Sequence, residues 1–167
     1  MALSFRKISL FDAPVFAKWR SDEELAWQVG WAIDPKKWNI SAEKDWIRKS
    51  HFDKTSQFWA ALNDDEVIGR VGLYHLNPKE KLGEVSILIG KPKFRNQGFG
   101  QEMLDFVLDA GYRELKLEGI YATIFEDNDR ALRFFESNNF KKSGRIGEMD
   151  YLGKKRKFYY LDHIVNN

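Results

Sequence analysis

Cysteine is absent from the 167 residues of this chain, which excludes disulfides, thiolate metal ligands and cysteine nucleophiles. Internal repeats, low-complexity tracts and linkers rich in proline, glycine or serine are absent too, so we expect one domain spanning residues 1–167. No run reaches the roughly 18 apolar residues of a membrane span, and the N-terminus lacks the apolar core of a signal peptide. We therefore expect a cytoplasmic protein without a membrane partner.

An excess of charge of one sign is also missing. Twenty-seven Lys and Arg nearly balance 25 Asp and Glu, and the net charge of +2 gives no broad basic field for nucleic acid. The basic run "GKKRK" at 153–157 is predicted to be a solvated hairpin tip, with an RNA-binding patch as the alternative. Hydrophobic residues make up 43% of the chain and aromatic residues 15%. We therefore expect a globular core and no nucleic-acid partner.

The pattern of apolar residues predicts an α/β fold. Strands are predicted at 3–10, 57–62, 66–76, 83–90 and 119–125, and in a hairpin formed by 145–152 and 156–164. Helices are predicted at 12–20, at 41–52 with Ser41 as cap, along the apolar stripe 103–115, and at 129–137 after Asn128 as cap. Residues 21–40 are predicted to be irregular or partly helical. Strands and helices alternate in the second half, between antiparallel strands, which indicates a mixed sheet with helices on its faces.

The turn in "ILIGKPKFRNQGFGQEMLDF" (87–106) is the most informative segment. A helix that begins directly after such a turn presents unpaired N–H groups and the positive end of its dipole, which suits an anion. Gly98 and Gly100 leave room for a close approach to the backbone, so we predict a pyrophosphate site. Added positive charge is expected from Lys91, Lys93 and Arg95. Gln101 and Glu102 exclude the triphosphate loop, and Met103 excludes the dinucleotide fingerprint.

Two motifs in this region resemble one family. Residues 95–100, "RNQGFG", have the spacing Arg/Gln-x-x-Gly-x-Gly/Ala of the acetyl-CoA pyrophosphate loop in GNAT-type N-acetyltransferases. The later "NDRALRFFESNNF" resembles their second marker, Asn-x-x-Ala-x-x-x-Tyr-x-x-x-Gly-Phe. The preceding "GEVSILIG" resembles their fourth strand, especially in the branch of ribosomal-protein N-terminal acetyltransferases. The sequence thus resembles the GNAT superfamily, most closely over 57–141.

This resemblance implies a fold and a reaction. The fold is a mostly antiparallel sheet of six or seven strands with a splayed parallel pair, flanked by about four helices. The reaction moves acetyl from acetyl-CoA, without a metal, to a primary amine of a small molecule or a protein N-terminus by direct attack in a ternary complex. A nucleotide-linked amino sugar is an alternative acceptor, and a CoA-binding module without catalysis is an alternative function. A monomer or a homodimer is expected.

The resemblance also implies site residues. Glu84 is expected to be the base, with a solvent-facing strand carboxylate as the alternative, and the Leu88 amide is expected to hold the oxyanion. Glu84 is also expected, with Trp27 and Trp31, to line the acceptor pocket. The residues expected to bind the cofactor are Ile87, Leu88, Ile89, Arg95, Asn96, Gln97, Gly98, Phe99, Gly100, Asn128 and Phe135.

Two positions depart from the family pattern. Asn139 occupies the place of the glycine before the closing Phe, which is tolerable because asparagine enters the left-handed conformation more readily than most residues. Phe135 occupies the place of a tyrosine proposed to protonate the leaving sulfur, and a thiolate with an ordinary pKa near about 8.5 can leave unaided. The loss should therefore slow the reaction more than abolish it. Replacement donors could come from Tyr121, Tyr159 or Tyr160. His75 is expected to share a strand face with Val71 and Leu73, as a satisfied sheet histidine rather than a base.

Overall fold

A computed structural model describes residues 2–31 and 34–165. The strands are β1 (Ser4–Lys7), β2 (Gln57–Asn63), β3 (Glu66–Asn77), β4 (Leu82–Ile89), β5 (Gly119–Phe125), β6 (Phe140–Tyr151) and β7 (Lys154–His163). The helices are α1 (Ala13–Arg20), α2 (Glu23–Val29), α3 (Ile40–Phe52), α4 (Phe99–Asp109) and α5 (Asp129–Ser137). Among the described residues, no helix combines the length and apolar character needed to cross a membrane.

The seven strands form one sheet in the order β1-β2-β3-β4-β5-β7-β6. Strands β4 and β5 are parallel, and every other neighbouring pair of the described sheet is antiparallel. The parallel pairing joins 82–84 to 119–121 and then stops, although both strands continue for several residues. The predicted mixed sheet with a splayed parallel pair is confirmed, with five helices where about four were expected.

Two apolar clusters cover the two faces of the sheet. One cluster joins α4 and α5, the latter through Leu132, to inward residues of the central strands, including Val85 and Ile120. The other joins α1, α2 and α3 to the opposite face, where Ile47 and Leu88 are buried. Because side chains alternate along a strand, odd-numbered residues of β4 face α4 and even-numbered residues, including Glu84, face the other side.

Local sequence signals predicted the bounds of several elements correctly. Helix α5 and strand β5 have the predicted bounds, and the Asn128 side chain caps α5 by accepting from Ala131 N at 3.2 Å. The Ser41 cap prediction was wrong, because α3 begins one residue earlier and the Asn39 side chain accepts from Ala42 N at 2.9 Å. The predicted irregular segment contains α2 and a short 3-10 turn, Pro35–Lys37; its residues 32–33 lie outside the described ones.

The basic run at 153–157 is not uniformly solvated. Lys154, Lys155 and Lys157 are exposed, as predicted, but Arg156 is buried. Its guanidinium donates to Trp27 O and to Asp127 Oδ1 and lies over the Trp27 ring, 3.6 Å from the ring centroid. Arg156 therefore ties β7 to the end of α2.

Candidate active site

A cleft of about 790 Å³ opens where β4 and β5 separate. Its walls come from α2, the splayed ends of β4 and β5, the first turns of α4 and α5, and β7. The expected site residues that line it are Glu84, Ile87, Leu88, Ile89, Arg95, Asn96, Gly98, Gly100, Asn128 and Phe135. One cavity thus joins the predicted anion site to the predicted base.

The turn before α4 has the geometry of an anion site. Gly98 precedes the helix with φ 86° and Asn96 has φ 60°, so both lie in the left-handed region. The first amide of the helix with a backbone acceptor is that of Gln101, which donates to Gly98 O at 2.9 Å. The preceding amides of the first turn have no partner within the helix. A Cβ on Gly98 would meet no heavy atom of the described chain within 4 Å, so its role is conformational.

The positive charge beside this turn differs from the predicted set. Lys91 and Lys93 both pair with Glu66, which reduces the charge that they offer to the cleft. Arg95 does line the cleft, and its Nε donates to Ile89 O at 3.3 Å.

Sequence reasoning missed Arg130. It lines the cleft from the first turn of α5, and its guanidinium donates to Asn96 Oδ1 at 3.3 Å. No spacing rule links these two residues, which lie 34 positions apart. The turn and α5 therefore offer one arginine each to an anion.

The prediction for the Leu88 amide is contradicted by the β3–β4 ladder. Gly90 N donates to Ile68 O at 3.0 Å, and the Leu88 carbonyl oxygen lies 2.5 Å from the place of a Cβ on Gly69 of β3. Backbone groups of alternate residues in an antiparallel ladder face the same side, so the Leu88 amide faces β3. The cleft-facing amides beyond the paired segment belong to Ile87 and Ile89.

Two further loop residues do not line the cleft with their side chains. Phe99 packs edge-on against Phe94 with ring centroids 5.9 Å apart. The Gln97 side chain donates back to Lys93 O. Any contact that these two residues make with an anion would therefore come from their backbone amides.

The Glu84 carboxylate is the chemical centre of the cleft. It is 4% exposed, so the alternative of a solvent-facing carboxylate is wrong. Oε1 accepts from Tyr74 Oη at 2.6 Å and from Thr123 Oγ1, and Oε2 lies 2.9 Å from His75 Nδ1. Such neighbours satisfy a buried carboxylate without supplying a permanent cation.

His75 is not placed as the sequence predicted. A bulge interrupts β3 between Tyr74 and Asn77, and His75 has φ 50°. In a regular strand His75 would point away from Tyr74, yet both side chains contact Glu84. A left-handed histidine is uncommon, and no sequence signal indicated the bulge.

Besides Tyr74, two more tyrosines lie on the same sheet face as Glu84. Tyr121 and Tyr160 line the cleft with ring centroids 6.0 Å apart. Burial, with smaller contributions from Glu84 and Tyr160, raises the pKa of Tyr121 to about 12, so its hydroxyl keeps its proton at neutral pH. The third candidate donor, Tyr159, packs on the opposite face among the core residues under Lys142, so its prediction as a proton donor was wrong.

Phe135 contributes only hydrocarbon to this wall. Its ring packs edge-on against Phe134 and Phe140 and is buried. The position therefore supplies shape to the cleft and no proton.

The expectation for the two tryptophans is not supported. Trp27 packs against Arg156 and Tyr151, and Trp31 packs over Arg20 and Arg70. Neither is among the described residues that line the cleft, because both rings are held by arginines. The same stretch lines the cleft instead through Leu25, Gln28, Val29 and Gly30.

Comparison with known proteins gives the family. The model of the acetyltransferase (GNAT) domain matches residues 2–141. An N-acetyltransferase 9-like protein of Caenorhabditis briggsae is 26% identical over 76% of this chain and 68% of its own. Acetyltransferase PseH of Campylobacter jejuni is 21% identical over 82% of both chains.

A solved structure supports the fold. The spermidine N-acetyltransferase of Vibrio cholerae, in complex with CoA and spermine, superposes with a TM-score of 0.85 at 19% identity, over 96% of this chain and 94% of that chain. At this identity the likeness concerns the fold alone. Together with the family match, it leads to one conclusion: this chain is an acyltransferase and belongs to the GNAT acetyltransferase family.

Proposed function

We propose that the protein transfers the acetyl group of acetyl-CoA to a primary amine by direct attack in the cleft between β4 and β5. The observation that carries the proposal is the single cavity that joins the first turn of α4 to the buried Glu84 carboxylate along an unpaired strand edge. The residues present fit acetyl-CoA, since the cavity offers an anion site at one end and a proton acceptor at the other.

The cofactor end follows from the turn geometry. The amides of the first turn of α4, with Arg95 and Arg130, would hold the pyrophosphate. Asn128 would contact the pantetheine arm beside Phe135. The Ile89 amide would pair with the arm as an added strand does.

The reacting end of the cleft needs a proton acceptor for the amine and a hydrogen-bond donor for the developing oxyanion. An alkyl ammonium with pKa near about 10.4 is neutral in roughly one molecule in a thousand at pH 7, so a base beside it is useful. Glu84 would take the proton, and the Ile87 amide would donate to the developing oxyanion. The nitrogen–carbon bond forms as the carbon–sulfur bond breaks, and Tyr121 or Tyr160 could protonate the departing thiolate.

The acceptor end of the cleft favours an amine that carries no second positive charge. Among the described lining residues, Glu84 is the one carboxylate, and hydroxyl donors and His75 already contact it. A second ammonium of a polyamine would find no further carboxylate among them. The remaining wall includes Leu25, Met149 and Phe158, which suits an amino sugar or a peptide N-terminus better than spermidine.

An amine panel tests the proposal. Acetyl-CoA would be supplied with glucosamine, an alanyl tripeptide or spermidine, and free thiol release and the acetylated product would be measured. We expect turnover with glucosamine or the peptide above that with spermidine. Retained CoA affinity without turnover on any acceptor would contradict the proposal and favour a binding module.

A further inference from the structure

The buried base needs a route by which protons leave. Acetyl transfer from the thioester to an ammonium yields an amide, a thiol and one proton. The nitrogen loses two protons, of which the sulfur takes one and solvent must take the other. If Glu84 accepts that proton, a carboxyl group that is 4% exposed must return it to water in every cycle.

His75 is the contact of Glu84 that reaches solvent. Its Nδ1 lies 2.9 Å from Glu84 Oε2, and its side chain is 68% exposed. Tyr74 and Thr123 contact the other oxygen, Oε1, and both are half-buried hydroxyl donors of the sheet. The two carboxylate oxygens thus face different environments, and only Oε2 borders an ionisable ring on the surface.

The backbone conformation at His75 directs its side chain to Glu84. The bulge after Tyr74 and the φ of 50° bring two consecutive side chains onto one carboxylate. A non-glycine residue in this region is strained, and such residues concentrate at functional sites.

We infer that His75 is the positioning residue of Glu84 and carries its proton to solvent, an inference that rests on the proposed function. The protonated carboxyl donates from Oε2 to Nδ1 of the ring with Nε2 protonated. The imidazolium formed loses its Nε2 proton to water, and the exposed ring returns to the Nε2–H tautomer by proton exchange with water before the next cycle. Tyr74 and Thr123 keep their protons and hold the carboxylate in place through Oε1.

The test replaces His75 without removing its hydrogen bond. In His75→Asn the amide can still donate to Oε2, and asparagine tolerates the left-handed backbone, but the side chain cannot ionise. We expect turnover with the best acceptor of the panel to fall about tenfold in weak buffer and to recover on addition of imidazole. The matched control is His51→Asn, because the His51 ring contacts Ile8 O away from the cleft; its turnover should equal that of the unaltered protein.

The outcomes separate this inference from the proposed function. Full turnover of His75→Asn in weak buffer, or a loss that imidazole leaves unchanged in a variant with an unchanged melting temperature, would overturn the relay while the proposed function stands. Absence of turnover in the unaltered protein on every acceptor would overturn both. If His75→Asn has a lowered melting temperature, His75→Gln takes its place and is assessed by the same response to imidazole.

Discussion

Two buried glutamates on the same face of the sheet have opposite surroundings. Glu43 of α3 is 0% exposed and contacts Arg20 Nε at 2.8 Å and Arg70 Nη1 at 3.6 Å, with the Trp38 indole as a further donor. Its charge is matched by permanent cations. Glu84 is 4% exposed and contacts two hydroxyls and one histidine.

These surroundings determine which of the two carboxylates can exchange a proton with a substrate. The Glu43 carboxylate is occupied by two guanidinium groups and is therefore closed to a substrate. Burial lowers the pKa of Arg70 to about 9, with Arg20 acting in the same direction and Glu43 opposing it, so the removal of Glu43 would leave costly charges. A carboxylate among neutral donors, beside a cleft, can take and release a proton.

The largest effect is expected from Glu84→Gln. The amide keeps the volume and an acceptor for Tyr74 and Thr123 but cannot take a proton, so kcat/KM should fall about a thousandfold. The melting temperature should stay within about 2 °C. Steady-state kinetics with the best acceptor and a thermal melt measure both. A kcat/KM within threefold of the unaltered value would remove the base assignment.

Glu43→Gln should lower the stability of the protein and leave its activity unchanged. Breaking a buried ion pair costs about 3–5 kcal/mol, which corresponds to a melting temperature lower by roughly 10 °C for a chain of this size. Activity per folded molecule should be unchanged. The control is Asp45→Asn on the same helix, whose exposed pair with Arg48 contributes less than about 1 kcal/mol. Equal melting of the two variants would refute the structural role of Glu43.

Arg130→Gln should weaken acetyl-CoA binding more than Lys91→Gln. Arg130 lines the cleft, and a charge-assisted bond to phosphate is worth about 1.5–3 kcal/mol, so the KM for acetyl-CoA should rise at least about tenfold. Lys91 is paired with Glu66, so its removal should change the KM about twofold or less. Initial rates at varied acetyl-CoA decide between them, and the reverse ranking would show that the lysines hold the anion.

The two loop glycines should respond differently to an added methyl group. Alanine at Gly98 must adopt φ 86° and should cost about 1–2 kcal/mol of folding free energy. Alanine at Gly100 meets Phe134 at an ordinary 3.4 Å, and the family motif accepts alanine at this position, so the melting temperature of Gly100→Ala should stay within about 2 °C of the unaltered value. Its acetyl-CoA affinity should be unchanged as well. Calorimetric melts and acetyl-CoA titrations test the pair, and equal melting of the two variants would contradict the conformational role of Gly98.

The smallest effect is expected from Phe135→Tyr. Since the thiolate leaves with an ordinary pKa near about 8.5, an added hydroxyl should change kcat by about threefold or less. Single-turnover rates give the value. A gain of about a hundredfold would mean that sulfur protonation limits the natural protein.

Elements with strong local signals could be predicted from the sequence. Strand β5, helix α5 and the Asn128 cap follow from apolar periodicity and a capping side chain, and the turn at Gly98 follows from its glycines. The bounds of helix α2 were not predicted although it carries local signals: the Asp22 side chain caps its start by accepting from Leu25 N, and Gly30 ends it with φ 75°.

Other parts of the site depend on the partner strand or on distant charges. The side faced by the Leu88 amide depends on the ladder with β3, and the side chain of His75 is redirected by a bulge. Whether Lys91 offers its charge to the cleft depends on Glu66. None of these three outcomes is encoded within a window of neighbouring residues.

The most direct measurement of the role of Glu84 is the ratio of kcat/KM for the unaltered protein and Glu84→Gln along a series of acceptors of decreasing basicity. A base matters only while the amine carries a proton that must be removed. The ratio should therefore fall from about a thousand for an alkylamine toward one for an alkoxyamine that is already neutral. A ratio independent of amine basicity would contradict proton removal by Glu84 and leave it a positioning role alone.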